Sequence, residues 1–86
     1  MSWQIDWTAP AAHDMRRLGR QVAARVRAAV LELAEADRGD VKRLRGALPP
    51  EWRLRVGDWR VRFQYDYDTR TIHVLRVLPR GRAYRD

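Results

Sequence analysis

Four arginines between positions 53 and 62 carry the first chemical signal in this chain. Arg53 and Arg55 alternate with Trp52, Leu54 and Val56; beyond Gly57-Asp58, Arg60 and Arg62 alternate with Trp59, Val61 and Phe63. Alternation with period two is the signature of a half-buried strand, so the apolar set lines one face and the arginines line the other. A guanidinium presents a planar, bidentate fork that matches phosphate, and it stays protonated. Alternating on adjacent strands, Arg53, Arg55 and Arg60 are able to surround one phosphate. The chemistry that suits such a cluster is recognition of a polyanion, either nucleic acid or an acidic protein segment.

The charge distribution agrees. Residues 1–41 hold six basic and six acidic side chains, whereas residues 42–86 hold twelve basic and five acidic, which accounts for the whole net charge of +7. Seventeen of the eighteen basic residues are arginine, with Lys42 the exception. A GC-rich genome favours arginine codons, but that does not explain the asymmetry between the halves. Cysteine is absent, which excludes disulfides and thiolate metal sites and fits a reducing, cytoplasmic setting. Two isolated histidines and scattered carboxylates show no ligand spacing, so no metal and no cofactor are expected. No apolar run approaches the roughly 20 residues of a membrane span. The start, MSWQIDWTAP, lacks the charged and apolar blocks of a signal peptide.

The arginines need a scaffold, and 86 residues allow one small domain, 1–86. Ser2 to Trp7 alternates and reads as a first strand. Thr8 is placed to cap a helix near Ala9-Pro10, where proline is tolerated. Met15, Leu18, Val22, Val26, Val30 and Leu33 form one helical stripe. Gly19 divides it into helices over about 9–18 and 20–36, because glycine inside a helix is unfavourable by roughly 1 kcal/mol. Residues 37–51 read as a connection. Two strands joined at Gly57-Asp58 form a tight hairpin. Thr71 to Leu78 is apolar on both sides, as in a central strand, and Pro79 ends it. The expected fold is α+β: a strand, a helical hairpin and a three-stranded antiparallel meander, with two helices covering one sheet face.

Three stretches of this sequence resemble the RelE/ParE superfamily of bacterial toxins: LRG at 44–46, WRLRVGDWRVRFQYD at 52–66, and IHVLRVLPRGRAY at 72–84. The resemblance spans nearly the whole chain, element order included. It implies a toxin of a type II toxin–antitoxin system. Within the superfamily it lies nearest the RelE branch, whose members are ribosome-dependent mRNA endonucleases; the alternatives are a ParE-like inhibitor of DNA gyrase and an inactive member that binds its antitoxin or represses its operon. The endonuclease pattern falls on Arg53 and Arg55, on Arg60, on Arg80 and on Tyr84 as catalytic residues. The RelE branch commonly carries lysines on the second strand of this pattern, and here arginines stand instead.

Metal-independent RNA cleavage uses the 2′-hydroxyl as nucleophile on the adjacent phosphate. Negative charge gathers on the phosphoryl oxygens in the transition state, where fixed cations stabilise it most. Tyr84 is the expected base, provided that nearby arginines lower its pKa from about 10. Arg80 is expected to stabilise or, by analogy with the family, to protonate the leaving oxygen, although a pKa above about 12 makes arginine a poor acid. Arg62, Arg76, Arg82 and Arg85 are expected RNA contacts. His13 reads as structural or surface and His73 as a satisfied sheet histidine, and the four tryptophans read as core or half-buried residues ahead of a base-stacking platform. The resemblance also implies its partners: a cognate antitoxin, the ribosome and mRNA, and operator DNA only through the antitoxin. No membrane is implied.

Overall fold

The computed structural model describes residues 2–82. The order is β1 (Gln4–Trp7), α1 (Ala9–Arg16), α2 (Arg20–Ala36), β2 (Asp40–Arg43), β3 (Trp52–Val56), β4 (Trp59–Asp66), β5 (Thr71–Pro79) and a short 3-10 turn, Arg80–Arg82. The strands form one sheet in the order β1-β5-β4-β3-β2. β1 runs parallel to β5, and the other three pairs are antiparallel. The expected α+β architecture therefore forms, with helices on one face. No helix among the described residues is long and apolar enough to cross a membrane.

The core lies between that face and the helices. Ala11 of α1 and Val26, Val30 and Leu33 of α2 meet Leu54, Val61, Phe63, Ile72, Val74 and Val77 of the sheet, all buried. Fully burying side chains of this size is worth about 1.5–3 kcal/mol each. The helical spacing of the first set and the strand alternation of the second are the periodicities that the sequence displays.

Three local expectations are corrected. First, the connection over 37–51 contains β2. Three of its four residues are charged, so alternation cannot reveal it; only Val41 brings an apolar side chain to the core side, opposite Leu54. Its backbone completes the otherwise open ladder of β3. Second, Thr8 does not cap α1 through its side chain. Its hydroxyl instead donates to the Val74 carbonyl at 2.6 Å and so ties the end of β1 to β5. Third, β5 is not a simple strand buried on both faces. Its register runs Arg62↔Arg76 and then Phe63↔Val74, so Leu75 is one residue too many. This bulge explains the apparent two-sided apolarity: Val74 and Val77 both face the core although they lie three apart.

Candidate nucleic-acid interface

The ladder registers align the arginines. Lys42, Arg53, Arg62 and Arg76 stand opposite one another across β2, β3, β4 and β5. The neighbouring row on the same face is Asp40, Arg55, Arg60 and Leu78. The rows of Val41, Leu54, Val61 and Val77 between them point to the core. The face away from the helices is therefore cationic, as the alternation predicted.

Like charges set directly opposite one another are destabilising, and three carboxylates arrive from outside the two central strands to offset them. Arg53 donates to the Asp40 carboxylate at 3.1 Å and to its backbone carbonyl at 2.9 Å. Arg62 donates through Nε to Glu51 at 2.9 Å. Arg76 grips Asp14 with Nε and Nη2 at 2.8 and 3.1 Å. Asp14 is the signal that the sequence hid: it lies on α1, 62 residues from Arg76, and nothing local distinguishes it. β1 ends at Trp7 opposite Val74, so the outer edge of β5 beyond that point has no strand beside it. The Asp14 carboxylate takes the Val77 N–H there at 2.9 Å, the bond that a neighbouring strand would have made. Burial pushes the Asp14 pKa up, but the hydrogen bonds from Arg76 and Val77 outweigh it, and the net direction is down.

Arg60 and Arg55 differ although they are cross-strand partners. Arg60 is 6% exposed, and its Nη1 donates to the carbonyls of Gly57 and Trp59 at 2.9 and 3.0 Å. It braces the hairpin turn, where Gly57 adopts φ +58°. Arg55 is exposed and has no ion pair with any described residue. Arg80 is brought to the same end: its N–H donates to the Asp58 carbonyl at 2.8 Å, which folds the 3-10 turn against the hairpin. Arg55, Arg60 and Arg80 thus gather near one turn. Tyr84 and Arg85 lie outside the described residues. Arg82 lies on the far side of β5, in a cleft that it shares with Arg76 and α1.

The opposite end of the same face has the reverse character. His73 stands opposite Gln64 on one side and Asp6 on the other. Its Nδ1 is 2.8 Å from the Asp6 carboxylate, and its Nε2 is 3.6 Å from Asp66. The Asp6 hydrogen bond, helped by Asp66, raises its pKa above 6.5 despite partial desolvation. His73 is a structural histidine, as expected. The aromatics do not join the arginine face. Trp3, Trp52, Tyr65 and Tyr67 cluster on the helix side of the sheet, with ring centroids 5.0–5.7 Å apart. Burial there pushes the Tyr65 phenol up, helped by Asp37.

Residues 5–84 match the family described as the ParE toxin of type II toxin–antitoxin system, parDE. No curated protein sequence matches the chain. The fold is similar to that of the archaeal RelE–RelB complex from Pyrococcus horikoshii, at 24% identity and TM-score 0.78, covering 96% of this chain and 100% of that one. It is also similar to the toxin–antitoxin complex RelBE2 from Mycobacterium tuberculosis, at 28% identity and TM-score 0.73, covering 93% and 100%. A mutant of the E. coli toxin RelE in the free state matches at 25% identity and TM-score 0.73, covering 96% and 87%.

Proposed function

For a chain that belongs to the ParE toxin family of type II toxin–antitoxin systems, we propose the RelE-type activity: ribosome-dependent cleavage of mRNA in the cytoplasm, held in check by a cognate antitoxin. The observation that carries this reading is the exposed guanidinium of Arg55 beside the braced Arg60, with Arg80 folded onto the same turn. A strand of RNA laid across β3 and β4 meets these cations first.

The 2′-oxygen attacks the adjacent phosphorus and forms a cyclic phosphodiester, and the bond to the 5′-oxygen breaks. The 2′-proton leaves to a base, for which Tyr84 is the proposed group. The 5′-oxygen takes up a proton from solvent water as it departs. Arg53 and Arg55 balance charge on the phosphoryl oxygens, and Arg80 faces the leaving group. Arg60 acts chiefly by holding the turn on which Arg55 stands, a duty that its buried bonds to two carbonyls support. Arg53 and Arg62 are preset by Asp40 and Glu51, which limits their reorganisation on binding. The ribosome supplies the remaining orientation of the mRNA. Operator DNA is reached only through the antitoxin, whose acidic segment suits the cationic face.

A translating extract tests the reading. Wild type cuts the transcript within codons, while Arg80→Ala and Tyr84→Phe leave it intact; equal cutting by both variants would overturn the site. The family match to ParE favours one second reading, inhibition of DNA gyrase. That reading predicts gyrase-dependent DNA cleavage complexes, with the transcript left whole.

A further inference from the structure

The outer edge of β5 beyond Val74 borders a cleft that the catalytic proposal does not use. Arg17, Arg76, Arg82, Trp59 and Asp14 line it, between the end of α1 and the end of the strand. Asp14 is fully engaged by Arg76 and the Val77 N–H, so its charge is already matched. Arg17 and Arg82 are exposed and have no ion pair with any described residue. The cleft therefore presents two guanidiniums that no carboxylate among the described residues pairs, which is an anion site by charge. Trp59, half-buried against the core, adds an indole face, and every nucleobase has a π-face to stack on one. Leu78 also lines the cleft and stands opposite Arg60 in the ladder. The cleft thus wraps the end of β5: Leu78 borders the arginine face, while Trp59, which alternates with Arg60, meets the cleft from the helix side.

We propose that this cleft binds one nucleotide of single-stranded RNA beside the cleaved bond, with its phosphate between Arg17 and Arg82 and its base against Trp59. The inference rests on the RNA reading of the arginine face. It adds two residues, Arg17 and Trp59, that lie outside that face. Arg76, clamped by Asp14, forms the rigid wall between the two sites.

Titration of the full chain with adenosine 5′-monophosphate, followed by NMR, tests it without the ribosome. The nucleotide shifts the Trp59 indole N–H. Arg17→Ala and Arg82→Ala each weaken binding about ten-fold, as loss of a charge-assisted contact requires. Inorganic phosphate binds more weakly than the nucleotide, and Trp59→Leu removes that difference; if this variant does not fold, Trp59→Phe narrows it. An unshifted Trp59, or unchanged affinity in both arginine variants, overturns the proposal. So does a response to an oligoglutamate peptide with none to the nucleotide, which would make the cleft a protein-docking site. Transcript cleavage by wild type is measured in parallel. A chain that binds nucleotide but leaves the transcript whole retains the nucleotide site and loses the nuclease reading; a chain that cuts but ignores the nucleotide retains the reading and loses the site.

Discussion

Over Thr71–Val74, β5 lies between two strands; over Leu75–Pro79 it lies between β4 and a helix. In the first half the outward charge is internally matched, because His73 sits between Asp6 and Asp66. In the second half the carboxylate comes in from the edge, on α1, and the outward face is left to arginines. The difference shows how a small sheet keeps a cationic surface without losing stability. The acids approach Arg76 and Arg62 from the sides, from Asp14 and Glu51, and leave the row beside them open at Arg55.

The sharpest way to break this contrast is to remove the open cation. Arg55→Ala is expected to lower transcript cleavage at least about 100-fold, the effect of deleting one preorganised transition-state contact, with little change in melting temperature. Cleavage at the wild-type rate would reduce the arginine half to a solvated surface. Next is the edge carboxylate. Asp14→Ala leaves the buried Val77 N–H without its acceptor and Arg76 without its partner; urea unfolding should show a loss of about 2–3 kcal/mol. Because the Asp14 pKa is lowered in the fold, its contribution is full above the ordinary value of 3.8 and disappears as pH falls through the lowered one. The variant should therefore lose less stability than wild type on acidification.

Two smaller changes sharpen the comparison. Gly57 holds φ +58°, and a Cβ there would lie 2.8 Å from Nη2 of Arg25. Gly57→Ala should lower stability by about 1 kcal/mol, and chemical unfolding measures it; the arginine end then loosens while the His73 end keeps its amide protection. At the other end, the raised His73 pKa stabilises the fold fully below about 6.5, the unfolded value. That contribution fades as pH rises through the folded value. His73→Gln should melt below wild type at about pH 5.5, by a margin that narrows as pH rises; a gap of equal size at about pH 5.5 and about pH 8.5 would show that ring protonation is irrelevant.

Much of this was legible in the chain. The alternation at Trp52–Phe63 and the stripe through Val26, Val30 and Leu33 are direct images of burial, so the sheet faces and the helical layer follow from them. The arginine face followed for the same reason. β2 was invisible because one apolar residue among three charged ones cannot make a pattern. The roles of Asp14 and Thr8 were hidden because both bond to residues more than 60 positions away, and periodicity reports only local geometry. The bracing role of Arg60 was hidden as well: alternation fixes which face a side chain takes, but not whether its head turns back onto carbonyls. Tyr84 lies outside the described residues, so its part in the proposed chemistry rests on the family resemblance.

Leu75 works as a one-letter insertion in the strand's frame. Delete it, and the ladder closes without a break: Val74 keeps its place opposite Phe63, Arg76 opposite Arg62 and Val77 opposite Val61, and only the local bend and added twist of the bulge are lost. At this position a one-residue deletion therefore leaves both faces of the strand in place, and its effect falls on the direction in which β5 runs on toward Arg80.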